Sequence, residues 1–132
     1  MILSVMLMLI LGTLDLGIAT YQFNTLSQAA RQGARQAAVH GSLANATNGV
    51  WGPATVTGNA GDGSVYASAV SGMLVGFNLS NVTYEIQWID GSNLAGKRVQ
   101  YSVTSTYTPI IASYFSNSTI SQSAVSTMPI AH

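Results

Sequence analysis

The chain opens on MILSVMLMLILGTL, residues 1–14, with no charge and only Ser4 and Thr13 polar. Such a run has to be covered by something apolar. A membrane-crossing helix needs ~20 apolar residues, which this run reaches only by continuing past Asp15 through Leu16, Gly17, Ile18 and Ala19. A secretory signal core is shorter, ~7–15 residues, but follows a basic segment, and no Lys or Arg precedes Arg31. The expectation is that Met1 is not where the gene begins and that a charged leader has been removed. The alternative is that Met1 is the initiator and the run a simple anchor. Orientation depends on which holds. With Arg31 and Arg35 as the nearby basic residues, the domain after the helix stays in the cytoplasm; a removed basic leader puts it outside.

The helical spacing runs on to His40 without a proline. Asn24, Gln28, Arg31, Gln32 and Arg35 fall on one arc. Leu26, Ala29, Ala30, Gly33 and Ala37 fall on the opposite one. The second arc consists mostly of small residues, which let another backbone approach closely. Gly41 is the expected stop. A helix over residues 2–40 is about 60 Å long at ~1.5 Å per residue, more than a domain of this size can cover. Its first half therefore predicts burial by lipid or by copies of itself. Asp15 lies in that half, between Gly12 and Gly17. A carboxylate there costs a few kcal/mol unless paired or protonated. It either forms an ion pair, with a neighbour's α-amino group or with Arg31 or Arg35, or marks the membrane surface.

Charge is scarce: 6% of the 132 residues are charged and the formal net charge is zero, against ~25% charged in ordinary soluble domains. Neutrality argues against nucleic acid, whose binding needs a basic face. The basic residues form two pairs, Arg31 with Arg35 and Lys97 with Arg98, and no stripe. There is no cysteine, which removes disulfides, thiolate metal sites and thiol nucleophiles. A hydrated but uncharged surface of Ser, Thr, Asn and Gly fits an extracellular or self-associating protein.

Beyond the helix, residues 43–63 read as a loop with a short strand near 54–57. Asp62 or Ser64 is placed to cap a second helix over 64–77, with Val70, Met73, Leu74 and Phe77 on its apolar face. VTYEIQWID puts Val82, Tyr84, Ile86 and Trp88 on one face. KRVQYSVTSTYT does the same for Val99, Tyr101, Val103 and Tyr107. A turn from Asp90-Gly91 to Gly96 joins them. After Pro109, PIIASYF is a connection or short helical turn, and STISQSAVSTMP, from Ser118, is a third strand. The predicted fold is α+β: a long N-terminal helix with an apolar first half, a second short helix, and an antiparallel meander packed on the helix's C-terminal half. The predicted division is residues 1–26 as the apolar helix and 27–132 as the head, with the helix continuing to about 41. Leu26, Ala30, Gly33 and Ala37 are the helix-to-sheet contacts.

No catalytic, metal or cofactor site is expected. His40 and His132 are isolated, and Asp15, Asp62, Glu85 and Asp90 are scattered. Gly61-Asp62-Gly63-Ser64 and Asp90-Gly91-Ser92-Asn93 lack the ligand spacing of a strong calcium loop and read as turns. Asn-x-Ser/Thr sequons begin at Asn45, Asn78, Asn81 and Asn117. They are either glycosylation sites of an exported protein or a consequence of composition.

The apolar run, Asp15-x-Gly17, the core Ala30, Arg31, Gly33, Ala34, Arg35 and the following Ala37, Ala38 and Val39 resemble the TadE-like family, pilin-like proteins of the Tad (Flp) pilus system within the type IV pilin group. The tail RVQYSVTSTYTPIIASYF and STISQSAVSTM is similar to that family's closing strands and Tyr-x-Pro turn. The resemblance implies a leader cut by a prepilin peptidase, residence in the inner (cytoplasmic) membrane, and extraction by a pilus assembly platform into an extracellular filament. Two positions depart from the family: the first acid comes as late as Asp15, and Ile18 stands where a basic residue often follows the acidic-x-Gly.

The leading expectation is a non-enzymatic structural pilin that forms a helical homopolymer. Met1, Leu3, Met6, Leu7, Ile10, Leu14, Asp15, Arg31 and Arg35 would meet neighbouring subunits, with Asp15 of one copy facing Arg31 or Arg35 of the next. The alternatives are a low-copy minor pilin or pseudopilin that primes assembly, and a membrane-anchored adhesin gripping glycans through Trp51, Tyr84, Trp88 or Tyr101.

Overall fold

The computed structural model describes residues 1–44, 49–109, 114 and 119–131. Helix α1 runs unbroken over Ile2–Val39, 38 residues. The hydroxyls of Thr13, Thr20 and Thr25 donate to the carbonyls of Leu9, Leu16 and Tyr21, four residues back. Each thus satisfies its own polar group within the helix. His40, rather than Gly41, takes the C-cap position, its N–H bonded to the Ala37 carbonyl.

The remainder forms β1 (Val56–Asn59), α2 (Val65–Ser71), a 3-10 turn (Leu79–Asn81), β2 (Val82–Trp88), β3 (Arg98–Tyr107) and β4 (Ile120–Pro129). The strands make one antiparallel sheet in the order β1-β2-β3-β4. The three-strand meander is therefore four strands wide. The short strand expected near 54–57 pairs at its outer edge, Val56 opposite Ile86. The third predicted strand is described from Ile120.

The alternation in β2 and β3 buries one face. Val82, Tyr84, Ile86 and Trp88, with Val99, Tyr101 and Val103, are all buried because successive strand side chains point to opposite faces. That face lies on the small side of α1. Leu26, Ala29, Ala30, Ala34 and Ala37 are each fully buried. Full burial of a Val, Leu or Ile side chain contributes ~1.5–3 kcal/mol, so this layer dominates the head's stability.

The second helix is shorter than predicted. It starts at Val65 behind the Ser64 cap, whose Oγ accepts from the Ala67 N–H at 3.1 Å, but stops at Ser71 rather than reaching Phe77. Gly72 caps it, and Gly76 adopts φ +85°, a backbone no helix accommodates. Leu74 is still buried, delivered by turns, whereas Met73 is exposed.

At the far end of the sheet, Asp90 closes the β2–β3 hairpin. Its carboxylate accepts from the Arg98 backbone N–H and from Nη2, both at 3.0 Å. Those Arg98 hydrogen bonds hold the Asp90 carboxyl below its ordinary pKa. The acids of both suspected calcium loops serve the turns, with Asp62 Oδ1 accepting from the Ser64 N–H at 2.8 Å.

Candidate functional site

The functional region is built on α1, which passes through two environments. From Met1 to Leu14 its large side chains are exposed apart from the half-buried Leu11, among them Leu3, Met6, Leu7 and Ile10. Rows of these side chains leave shallow apolar grooves, one lined by Met1, Ile2, Val5, Met6 and Leu9 and another by Leu3, Met6, Leu7 and Ile10. Ridges and grooves of this kind are what a second helix packs into. By length and composition the helix can cross a membrane.

Contact with the head begins at Asp15 on one side of the helix, while Leu16, Ile18, Tyr21 and Phe23 stay exposed on the rest of it. Asp15 is buried, and the hydroxyl of Tyr107, the last residue of β3, donates to its Oδ1 at 3.1 Å. One turn later, Gln122 of β4 donates from Nε2 to the Ala19 carbonyl at 3.2 Å. On another side Tyr21 donates its hydroxyl to the Val75 carbonyl at 3.4 Å. The head thus grips the helix from Asp15 upward. Burial, followed by the Asp15 contact, raises the Tyr107 phenol above its ordinary pKa, as expected for a neutral donor held against a carboxylate.

Above the grip the small stripe takes over. A Cβ added to Gly33 would stand 2.6 Å from the Tyr101 ring, so this glycine sets the helix-to-sheet distance. Leu26, Ala30 and Ala37 are buried with it, as are Ala34 and Ala38, which the wheel did not single out. Arg31 and Arg35 are exposed, and neither is ion-paired among the described residues. Asp15 lies about 24 Å down the axis from Arg31 at ~1.5 Å per residue, so these groups can meet only between chains.

The aromatic residues considered for glycan binding are in the core. Trp51, Tyr84, Trp88 and Tyr101 are at most 5% exposed, so they are core residues, as the strand alternation implies for the last three, and not the glycan-gripping surface of the alternative reading. Trp51 stacks on His40 with centroids 4.4 Å apart, and Tyr84 stacks on Tyr101. His40 Nδ1 donates to the Gln36 carbonyl at 2.6 Å, which gives this histidine a structural role. Among the described residues no cluster of His, Asp or Glu is arranged to hold a metal.

Of the sequons, Asn78 and Asn81 are exposed at the 3-10 turn. The Asn78 Oδ1 accepts from both the N–H and the hydroxyl of Ser80. Asn45 and Asn117 lie outside the described residues, as does most of the connection after Pro109.

Sequence reasoning did not single out Tyr107, Gln122 or Tyr21 as partners of the helix. Each contact joins positions between 54 and 103 residues apart, and no local pattern marks such pairs.

No curated protein and no solved structure matches the chain. Its amino-terminal segment, residues 1–35, the apolar run and the helix through Arg35, matches the model of the family described as TadE-like protein.

Proposed function

We propose that this chain is a non-enzymatic, pilin-like structural subunit of a Tad-type pilus, held in the membrane by the first half of α1 before assembly and built through that same half-helix into an extracellular filament. One observation carries the reading: a 38-residue helix that buries one face of its second half under its own sheet while the apolar stretch before Asp15 is largely uncovered. Burying that surface among copies, in place of lipid, supplies the contact area for a polymer. A contact between different patches need not close and generates an open helical array. The TadE-like match over residues 1–35 supports the same reading.

The test is fractionation of the native envelope with electron microscopy of sheared surface material. Filaments that carry this chain are expected. Recovery solely as a detergent-soluble monomer, with no filament containing it, refutes the proposal.

A further inference from the structure

The head has two uncovered faces on opposite sides, and they carry opposite charge. One is the outer face of the sheet. Strand alternation points Thr83 and Glu85 of β2, with Ser102 and Thr104 of β3, away from the core. Glu85 stands between Thr57 of β1 and Ser102. The short hydroxyl side chains around it leave a shallow depression of about 360 Å³, whose lining includes Thr57, Thr83, Glu85, Ser102 and Thr104.

The other face is the back of α1. Asn24, Gln28, Arg31 and Arg35 are exposed there, across the helix from Leu26, Ala30, Gly33 and Ala37, which lie buried beneath the sheet. Helical spacing carries this back face down through Gly17 to Ile10 and Met6, all exposed. It is one continuous ridge, apolar below and cationic above.

Of the four acids, three are engaged within the chain. Asp15 accepts from Tyr107, Asp62 accepts from the Ser64 N–H, and Asp90 pairs with Arg98. Glu85 is exposed and has no ion pair among the described residues, and the same is true of Arg31 and Arg35. We propose that the arginine ridge of one copy seats on the outer sheet face of the next, with Arg31 or Arg35 paired to Glu85. The proposal deepens the pilin reading above and rests on it. The second arginine is left for Asp15 of a different neighbour.

Three features select a second copy as the occupant. The charges are complementary, and in a chain with only 6% charged residues such a match fixes partner and register. The ridge is continuous with the apolar half of α1 assigned to assembly, so packing that half brings the arginines against a neighbour. The surrounding groups also match. Thr57 and Ser102 offer hydroxyls to a guanidinium and a carboxylate taken out of water, the extra hydrogen bonds that a covered ion pair needs. Asn24 and Gln28 bring amides to Thr83 and Thr104. The contact joins two different patches on opposite sides of the head. It is therefore heterologous and propagates from copy to copy, as an open array requires.

The absence of native cysteine makes the contact directly readable. Filaments are sheared from cells whose sole copy of the chain carries E85C with R31C, or E85C with R35C, and are mildly oxidised. At least one pair is expected to give a ladder of disulfide-linked multimers, because each copy offers one cysteine to each neighbour. E85C alone is expected to give none. In a charge exchange, E85R should lower filament yield several-fold, and R31E or R35E in the same chain should restore most of it. K97E, in the β2–β3 turn, should not. Melting in detergent checks each fold, and where E85R does not fold the cysteine ladder decides. Parental yield from E85R together with no ladder refutes the docking and leaves the pilin reading standing. No filament from the parent chain removes both. Dimers from E85C alone would show sheet face meeting sheet face and overturn the assignment, as would rescue of E85R by K97E.

Discussion

The Tyr101 ring lies directly against Gly33, so close that a Cβ there would stand 2.6 Å from its carbons. The ring has no room to yield. Tyr101 is fully buried, and its hydroxyl donates to the Tyr66 carbonyl at 2.9 Å. Gly33→Ala gains up to ~1 kcal/mol of helix propensity but overpacks the contact at ~1–3 kcal/mol. A net loss of about 1–2 kcal/mol is expected, read as a lowered melting temperature in detergent. Pairing the change with Tyr101→Leu should recover part of the loss. A Gly33→Ala protein as stable as the parent would show that the sheet can lift off the helix at no cost.

Asp15 has two roles that one substitution can separate. Within the chain it accepts from Tyr107; between chains it is the proposed partner of Arg31 or Arg35. Asp15→Asn keeps an oxygen for Tyr107 and removes the charge, whereas Tyr107→Phe keeps the charge and removes the donor. Tyr107→Phe should destabilise the head by about 1–2 kcal/mol, the cost of losing a donor to a buried charged acceptor. Asp15→Asn should destabilise the head no more than Tyr107→Phe does and sharply reduce filament yield. Normal yield from Asp15→Asn would rule out the intersubunit ion pair.

What the sequence revealed and what it concealed divide along physical lines. The alternation of Val82, Tyr84, Ile86 and Trp88 is a local pattern, and it marked a buried strand face. The small arc of Ala30, Gly33 and Ala37 marked the helix face beneath the sheet for the same reason. The end of α2 was concealed because Val70, Met73, Leu74 and Phe77 keep a helical spacing through Gly72 and Gly76, and only the backbone angles show that the helix has stopped. The grip at Asp15 was concealed more deeply. Tyr107 is 92 residues away, and its place in β3 matched the buried face of the strand, so nothing local told it apart from a core tyrosine. The functional reading came from the helix, whose pattern is local; the depth of the head along it came from contacts that are not.

Stability should hold across a broad range of pH and fall at both ends. Hydrogen bonds to Ser64 lower the pKa of Asp62, and those to Arg98 lower that of Asp90, from the ordinary 3.8. A carboxylate depressed in the folded state contributes stability that is present above its unfolded pKa and lost as pH falls through the folded one. The acid loss therefore begins below about pH 3.8. Burial raises the phenols of Tyr84 and Tyr101 above 10.0. Their contribution is complete below that value and is lost as pH rises through the raised pKa. Melting temperature against pH should show a plateau between these limits. The alkaline fall should coincide with phenolate absorbance appearing on unfolding. A decline already under way near neutrality would contradict this assignment.

Ser64 links α2 to the sheet. Its Oγ accepts from the Ala67 N–H at 3.1 Å and lies 2.9 Å from the Tyr84 hydroxyl. Tyr84 also reaches Asp62 Oδ2, at a longer 3.4 Å. Ser64→Ala removes the helix cap, worth ~1 kcal/mol in most proteins, and leaves Tyr84 with the weaker partner alone. A loss of about 1–2 kcal/mol is expected. Ser64→Thr keeps the hydroxyl and should restore most of it. Because α2 leads into the turns that carry Val75 to Tyr21, Ser64→Ala should also loosen that corner, seen as faster amide exchange through residues 72–77. If exchange there is unchanged while the melting temperature drops, the cap stabilises α2 alone and the Val75 corner is held by the helix.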